Sequence, residues 1–281
     1  MRYGLHISTA GNIAGTPARA HAMGAEVMQI FASNPRGWRP THYTADQAAK
    51  FRSACADSKI NPVFIHMIYL ASYGTPDDDL RGKSIQALDQ TMQNADLLGV
   101  KGVITHLGSH KGLGLDQALK RLADALHEAL AQSRDSWLVL ENSAGAGGNI
   151  GNSLEELAQI LDAMQGHPRL KVCVDTAHAL TSGYEIRTPD GLDKFLADFD
   201  RLIGLDRLVA MHLNDPKADI GSHVDRHENI GHGYIGEAGF RVILNHPKLA
   251  DMPGILEVPG MDGKSGPDQP NLDRLKELTA R

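Results

Sequence analysis

Short runs of apolar and β-branched residues alternate with longer stretches in which apolar positions recur every three or four residues, from one end of the chain to the other. The short runs predict strands at Tyr3–Ile7, Glu26–Phe31, Pro62–His66, Gly102–His106, Trp137–Glu141, Leu170–Asp175, Leu208–Leu213 and Ile255–Val258. The periodic stretches predict helices at Ile13–Met23, Ala45–Asp57, Asp78–Leu98, Leu115–Ala131, Leu154–Met164, Leu192–Leu202, Ala238–Leu244 and Leu272–Leu278. The fourth helix is the clearest, with Leu115, Leu119, Leu122, Leu126 and Leu130 on one face. Eight strand–helix units in 281 residues predict an α/β fold of one kind, a single (β/α)8 TIM barrel, against an open doubly wound sheet as the competitor. No Pro/Gly/Ser-rich linker interrupts the alternation, so residues 1–281 are expected to form a single domain.

Composition narrows the class without naming a chemistry. With 42% hydrophobic and 22% charged residues the chain is an ordinary globular sequence, which excludes a disordered one. No stretch approaches eighteen apolar residues and the first dozen residues hold no apolar run, so neither a membrane span nor a secretory leader is expected. The only cysteines, Cys55 and Cys173, cannot form a disulfide framework; reduced thiols and a cytoplasmic location are expected. The formal net charge of −6 argues against a polyanionic partner. Fourteen histidines reopen that question, because neutral imidazole is a common metal ligand and bound cations change the local charge.

Metal-capable side chains fall where the strands end. His66 and His106 end the third and fourth strands, Glu141 the fifth and Asp175 the sixth, while His212 lies in the seventh and Glu257 in the eighth. In a closed barrel those ends meet in one mouth, where such enzymes place their chemistry. His178 and the triplet Asp225-Arg226-His227 follow in the loops. A lone strand-end histidine or aspartate is usually a hydrogen-bonded structural residue, but nine such groups cannot crowd one mouth without cations among them. Five imidazoles and four carboxylates, with no thiolate, suit about three zinc ions, with manganese or iron as alternatives. Three dications outweigh four carboxylates, so an acidic chain is compatible with a positive mouth. Asp225-x-His227 converges on an ion only if its loop is irregular, since an extended segment would point the two side chains apart. His21, His42, His127, His167 and His246 read as surface residues; His6, His110, His223 and His232 lie near the mouth as candidates to orient ligands. The glycine-rich Gly145–Gly151 segment mimics a dinucleotide fingerprint, but its spacing is wrong and it directly follows a proposed ligand. Sharp turns beside a crowded cluster explain it better.

These residues resemble the endonuclease IV family of apurinic/apyrimidinic (AP) endonucleases, a branch of the xylose isomerase-like TIM barrels, and the resemblance spans the whole chain. It is carried by His66-Met-Ile-Tyr69-Leu70, His106-Leu-Gly-Ser-His110, Leu140-Glu141-Asn142-Ser-Ala-Gly145, Val174-Asp175-Thr176-Ala-His178, His212-Leu-Asn214-Asp215, Val224-Asp225-Arg226-His227 and Leu256-Glu257. The resemblance implies a trinuclear zinc cluster, manganese being an option at one position. His66 and His106 would hold the first ion and share Glu141 with the second, Asp175, His212 and Glu257 would complete the second, and His178, Asp225 and His227 would hold the third. It also implies that Asn34, Arg36, Trp38 and Tyr69 grip DNA, Arg36 and Tyr69 entering the minor groove at the lesion. Pro35 stands where the family commonly has Gln, Leu107 where it has Pro, and Pro216 where it has Ser. The implied reaction is hydrolysis of the phosphodiester 5′ to an abasic site in double-stranded DNA, with Glu141 as the catalytic carboxylate and 3′-blocking groups removed at the same site. A monomer is expected, and the sequence lets no protein partner be inferred. The rival reading is a metal-dependent sugar isomerase or epimerase on a similar barrel, which would use one or two ions held mostly by carboxylates. Arg36, Arg39, Lys111, Lys217, Arg226 and Lys264 are the basic side chains of the predicted mouth loops.

Overall fold

The computed structural model describes residues 1–262 and 266–279; Lys264 lies outside the described residues. Strands β1 (Arg2–His6), β2 (Val27–Phe31), β3 (Val63–His66), β4 (Gly102–Thr105), β5 (Trp137–Glu141), β6 (Leu170–Asp175) and β7 (Leu208–His212) enter in chain order. A two-residue pair, β8 (Asp215–Pro216) and β9 (His227–Glu228), follows, and then β10 (Pro253–Leu256). β1 to β7 and β10 form a closed parallel barrel in the order β1-β10-β7-β6-β5-β4-β3-β2. The fold is a (β/α)8 TIM barrel, as the alternation of patterns predicts.

Helices α1 (Thr16–Ala22), α2 (Ala45–Asp57), α3 (Asp78–Leu98), α4 (Leu115–Ala131), α5 (Leu154–Ala163), α7 (Pro189–Leu202), α8 (Gly236–Leu244) and α9 (Gln269–Leu278) surround the barrel; α6 (Thr176–Thr181) is a short extra turn after β6. Their starts are chemically marked. Thr44 and Gln47 form a reciprocal capping box on α2, Asp77 caps α3 by accepting from Leu80 N at 3.0 Å, and Thr188 caps α7 with Pro189 in its first turn.

Predicted boundaries shift where caps outvote periodicity. α7 and α9 begin at Pro189 and Gln269 rather than Leu192 and Leu272, because Thr188 and Asp268 cap earlier and a proline sits at the start of each. Ile13–Met23 is a 3-10 turn, Ile13–Gly15, followed by α1. His106 and Glu257 lie one residue beyond β4 and β10 rather than within them. His178 belongs to α6, not to a loop. His246 is not a simple surface residue: its Nε2 lies 2.9 Å from Asp193 Oδ1, with only 10% of its side chain exposed.

Two apolar clusters hold the molecule. The larger lies between barrel and helices, with residues such as Leu5, Met28, Ile65, Leu88, Leu126 and Phe199. The smaller, Val27, Phe64, Ile104, Val139, Cys173, Ala210 and Ile255, contributes one side chain from each barrel strand except β1. β1 supplies Gly4 at that level, where a Cβ would lie 1.8 Å from Val27 O of the neighbouring strand. Side chains two positions apart share a strand face, so the residue two positions on from each of these points the same way. Those residues are His6, Gln29, His66, His106, Glu141, Asp175, His212 and Glu257. An apolar plug thus underlies a polar layer at the C-terminal mouth. No helix among the described residues is long and apolar enough to cross a membrane.

Candidate metal centre

Glu141 is the hub of the polar layer. It is fully buried, with Oε2 at 3.1 Å from His66 Nε2 and 3.6 Å from His106 Nε2, and Oε1 at 3.0 Å from His212 Nδ1 and 3.5 Å from His178 Nδ1. Around it the donor atoms fall into three overlapping groups, each within 4.8 Å: His66, His106 and Glu141; Glu141, Asp175, His212 and Glu257; Asp175, His178 and His227. The groups overlap through Glu141 and Asp175. Asp225 stands beside the last group, its Oδ1 at 3.2 Å from His178 Nε2 and 3.5 Å from His227 Nε2. All nine predicted donors therefore meet in one mouth.

Asp225 and His227 converge because their segment is irregular. β8 and β9 pair Pro216 with His227, and Lys217 N donates to Arg226 O at 2.8 Å. The buried Asp215 carboxylate accepts from Gly231, Gly233, Ile235 and Gly236 N at 2.9–3.3 Å, fixing the turn that follows His227. His223 reaches across to Ala144 O at 2.9 Å, against Gly145, where a Cβ would sit 2.8 Å from its ring. Gly145 has φ 86, so this glycine serves a sharp turn beside the cluster and not a dinucleotide loop.

The imidazoles are held with one nitrogen committed. His66 Nδ1 lies 2.7 Å from Met67 O and His178 Nδ1 lies 2.9 Å from Asn142 O. A carbonyl accepts only, so each Nδ1 carries the proton and each Nε2 turns a lone pair to the centre. The buried Nε2 atoms of His178 and His227 make no hydrogen bond. Unpartnered lone pairs converging beside buried carboxylates fit a cation, and the imidazole–carboxylate donor set fits zinc, manganese or iron.

The electrostatics point the same way. Burial alone would pull the His178 imidazole down, but Asp175, Asp225 and Glu141 carry it up to about 10. Burial would raise Asp225, but His178 and His227 bring it to about 2. Glu141 and Glu257 are held well below the usual carboxylate range despite burial, chiefly by His106 and His212 for Glu141 and by His212 and His6 for Glu257. Without ions the protons on imidazoles stand in for cations. His6 and His106 behave oppositely, burial dominating and lowering both.

Supporting side chains that the sequence reading left without a role appear here. Asn142 Oδ1 accepts from Asp175 N at 2.6 Å. Asn214 donates to Asp175 Oδ2 at 2.6 Å and accepts from Glu257 N at 2.9 Å. Gln29, fully buried, joins His212 to Glu257. Of the four other mouth histidines, His6 alone among the described residues touches a predicted ligand, its Nδ1 at 3.4 Å from Glu257 Oε1. His110 Nδ1 faces Gly112 N and Gly114 N within its own loop.

The centre lines a cavity of about 380 Å³ with Tyr69, Leu107 and Asn149 among its walls. A groove of about 820 Å³ adjoins it, running from Glu257 and His6 past Asn34, Pro35 and Tyr69. Tyr69 stands on the lip, 59% exposed, its ring 6.1 Å from that of His66. Asn34 and Arg36 are exposed on the neighbouring loop, and Tyr69 N donates to Pro35 O at 3.1 Å, so Pro35 ties the two loops through its carbonyl. Trp38 is half-buried against the core, unlike Tyr69.

Fold and mouth define a barrel whose His, Asp and Glu groups, overlapping through Glu141 and Asp175, could hold metal ions, and residues 17–278 match the family model described as xylose isomerase-like TIM barrel. A probable endonuclease 4 of Methanoculleus marisnigri is 40% identical over 277 residues, covering 98% of both chains. The crystal structure of endonuclease IV from Thermus thermophilus superposes with a TM-score of 0.86 at 35% identity, covering 99% of this chain and 98% of that one. A D-psicose 3-epimerase from Clostridium cellulolyticum (TM-score 0.64, 15% identity, covering 99% and 95%) shares the fold alone. The chain belongs to the endonuclease IV family of AP endonucleases, enzymes of the deoxyribonuclease IV type.

Proposed function

We propose that residues 1–281 act as one domain, a monomeric cytoplasmic AP endonuclease of base excision repair. It hydrolyses the phosphodiester 5′ to an abasic site in double-stranded DNA, leaving a 3′-hydroxyl and a 5′-deoxyribose phosphate, and removes 3′-blocking groups at the same site. The observation that carries this reading is the overlap of three donor groups through Glu141 and Asp175. Groups that share carboxylates would hold ions close together, and such ions would supply charge stabilisation to both oxygens of an in-line phosphoryl displacement. Three zinc ions are proposed, with manganese admitted at one position.

Bound there, such ions supply Lewis-acid stabilisation of phosphoryl charge and a nucleophile at neutral pH. The chain's own residues do the rest. His66 and His106 with Glu141 would hold the first ion, Glu141, Asp175, His212 and Glu257 the second, and His178, Asp225 and His227 the third. Glu141, buried and shared, fixes the spacing on which alignment of the phosphorus depends. Arg36 and Tyr69 enter the minor groove at the lesion, with Asn34 and Trp38 as further DNA contacts on the loop of Arg36. Tyr69 stands over the cavity where a sugar without a base can enter, and such a nucleotide has less stacking to lose than an intact pair. A sugar epimerase would need a carboxylate-dominated site for one or two ions; five imidazoles favour the nuclease.

The test is a duplex carrying a single abasic analogue, with zinc counted per chain. Cleavage on the 5′ side by protein holding about three zinc ions, abolished by chelator, is expected. Glu141→Gln should lose cleavage while still shifting the duplex in a binding assay. Full activity in Glu141→Gln, or in metal-free protein, overturns the proposal.

A further inference from the structure

Gln29 is a buried amide whose polar end meets Glu257, His6 and His212. It lies on β2 two positions after Val27 of the apolar plug, with none of its surface exposed. Its Nε2 is 2.5 Å from Glu257 Oε1 and 2.9 Å from His6 Nδ1, and its Oε1 is 2.9 Å from His212 Nε2. The amide orientation follows from its partners: a carboxylate oxygen only accepts, so the atom facing Glu257 is the NH2 group and the carbonyl faces His212. A carbonyl only accepts in turn, so His212 Nε2 carries a proton. In the neutral ring that leaves His212 Nδ1 with the lone pair, and Nδ1 is the nitrogen that faces Glu141 Oε1 at 3.0 Å and Glu257 Oε2 at 3.2 Å.

From this geometry we infer that Gln29 is a positioning residue for one metal site only, the one built by Glu141, Asp175, His212 and Glu257. It fixes the ligating tautomer of His212 and turns Glu257 so that Oε2, not Oε1, faces the centre. The inference rests on the metal-centre reading above and deepens it. No other side chain of this length does both jobs. Glu in its place accepts from His212 but cannot donate to Glu257 and adds a like charge against it. Met fills the same volume yet leaves the His212 N–H unpaired in a buried layer and Glu257 Oε1 with only His6 Nδ1, 3.4 Å away, the costly outcome for polar groups there. The partners lie 183 and 228 residues further along the chain, so only the closed barrel brings them to Gln29.

The test compares the zinc-loaded protein with Gln29→Met and Gln29→Glu, using release of Zn2+ to a chromogenic chelator and nitrogen-detected NMR of the histidine rings. The wild-type chain should release its ions in resolvable steps. In Gln29→Met one ion per chain should be released at about 10- to 100-fold lower chelator concentration, the loss expected when a ligand's hydrogen-bond partner is removed. The other ions should keep their wild-type release, and His212 should lose its uniform Nε2–H state. Gln29→Glu should keep that His212 tautomer and still lose the same ion, because the acceptor for His212 is kept while the donation to Glu257 and His6 is lost and a like charge is set against Glu257. The melting temperature of each metal-free variant separates these effects from misfolding: a folded Gln29→Met with wild-type release and an unchanged His212 ring overturns the inference. A Gln29→Met chain that fails to fold leaves Gln29→Glu to decide, where wild-type release of every ion overturns it equally. Wild-type protein that takes up no zinc would instead refute the metal-centre reading beneath it.

Discussion

The two layers inside the barrel are built by the same strands, two residues apart, and do opposite work. In the lower layer Val27, Phe64, Ile104, Val139, Cys173, Ala210 and Ile255 pack with no charge among them. In the upper layer His66, Glu141, Asp175 and His212 are as fully buried but bring charge to within about 4 Å of charge. Burial is therefore not what separates them. The lower layer gains free energy by excluding water, while the upper one is a compromise in which imidazoles and carboxylates neutralise each other until cations take the protons' place. Stability and chemistry are kept apart along the barrel axis, so each can be broken without the other.

The largest effect should come from the lower layer. Phe64 is fully buried in the plug, and Phe64→Ala should cost about 3–5 kcal/mol through lost burial and the cavity left behind. Differential scanning calorimetry should show a fall in melting temperature of roughly 10 °C. Zinc stoichiometry should be unchanged in the folded variant, because no donor of the mouth is lost. Loss of zinc from a chain that is still folded would mean that the plug and the mouth are not separable.

A smaller effect is expected in the upper layer, and its sign depends on pH. His178, ordinarily near 6.5, is carried up to about 10 in the ion-free centre, so the stability from its ion pairs is fully present below about pH 6.5 and is lost as pH rises toward 10. Asp225 is lowered from 3.8 to about 2, so its contribution is present above 3.8 and is lost as pH falls toward 2. Metal-stripped protein should therefore melt highest between about pH 4 and 6.5 and lose several degrees by about pH 9. Zinc-loaded protein should not lose stability over that alkaline range, since bound ions displace the protons concerned. Melting curves of the two forms that run parallel from about pH 6 to 9 would contradict this account of the mouth.

The same comparison explains what could be read from the sequence. The alternation that closes the barrel was legible because each strand is apolar on both faces and each helix on one. Seven of the eight polar-layer positions are ligand-type residues and six of them are predicted ligands, His6 being the exception, and the gathering of nine donors in one mouth followed from the topology. Gln29 did not announce itself: an amide is no ligand type, and its meaning lies in partners on β7 and after β10. Asn142 and Asn214 sit within recognisable motifs, yet their roles are backbone and carboxylate contacts that no spacing rule encodes. α6 was invisible to periodicity because six residues hold under two turns. Its start was legible in principle, since Asp175 caps it by accepting from His178 N at 3.0 Å. One carboxylate thus ends a strand, caps a helix and faces the centre.

Asp89 provides the contrast for buried carboxylates outside the mouth. It lies on α3, half-buried, with Oδ1 unpartnered, and Glu128 of α4 is the charge that acts on it. Where Asp225 is drawn down by imidazoles, burial first and then Glu128 push Asp89 up to about 6. A raised carboxyl favours folding while protonated, so its contribution is present below about 3.8 and turns to a loss as pH rises through about 6. Asp89→Asn keeps the shape and cannot ionise. Because water reaches half of the group, the gain is discounted to about 1 kcal/mol at about pH 8, against no gain at about pH 4. Urea titrations of the two proteins at both pH values measure it. An equal difference at the two pH values would show that Asp89 titrates alike in the folded and unfolded chain, and that burial beside a like charge does not raise it.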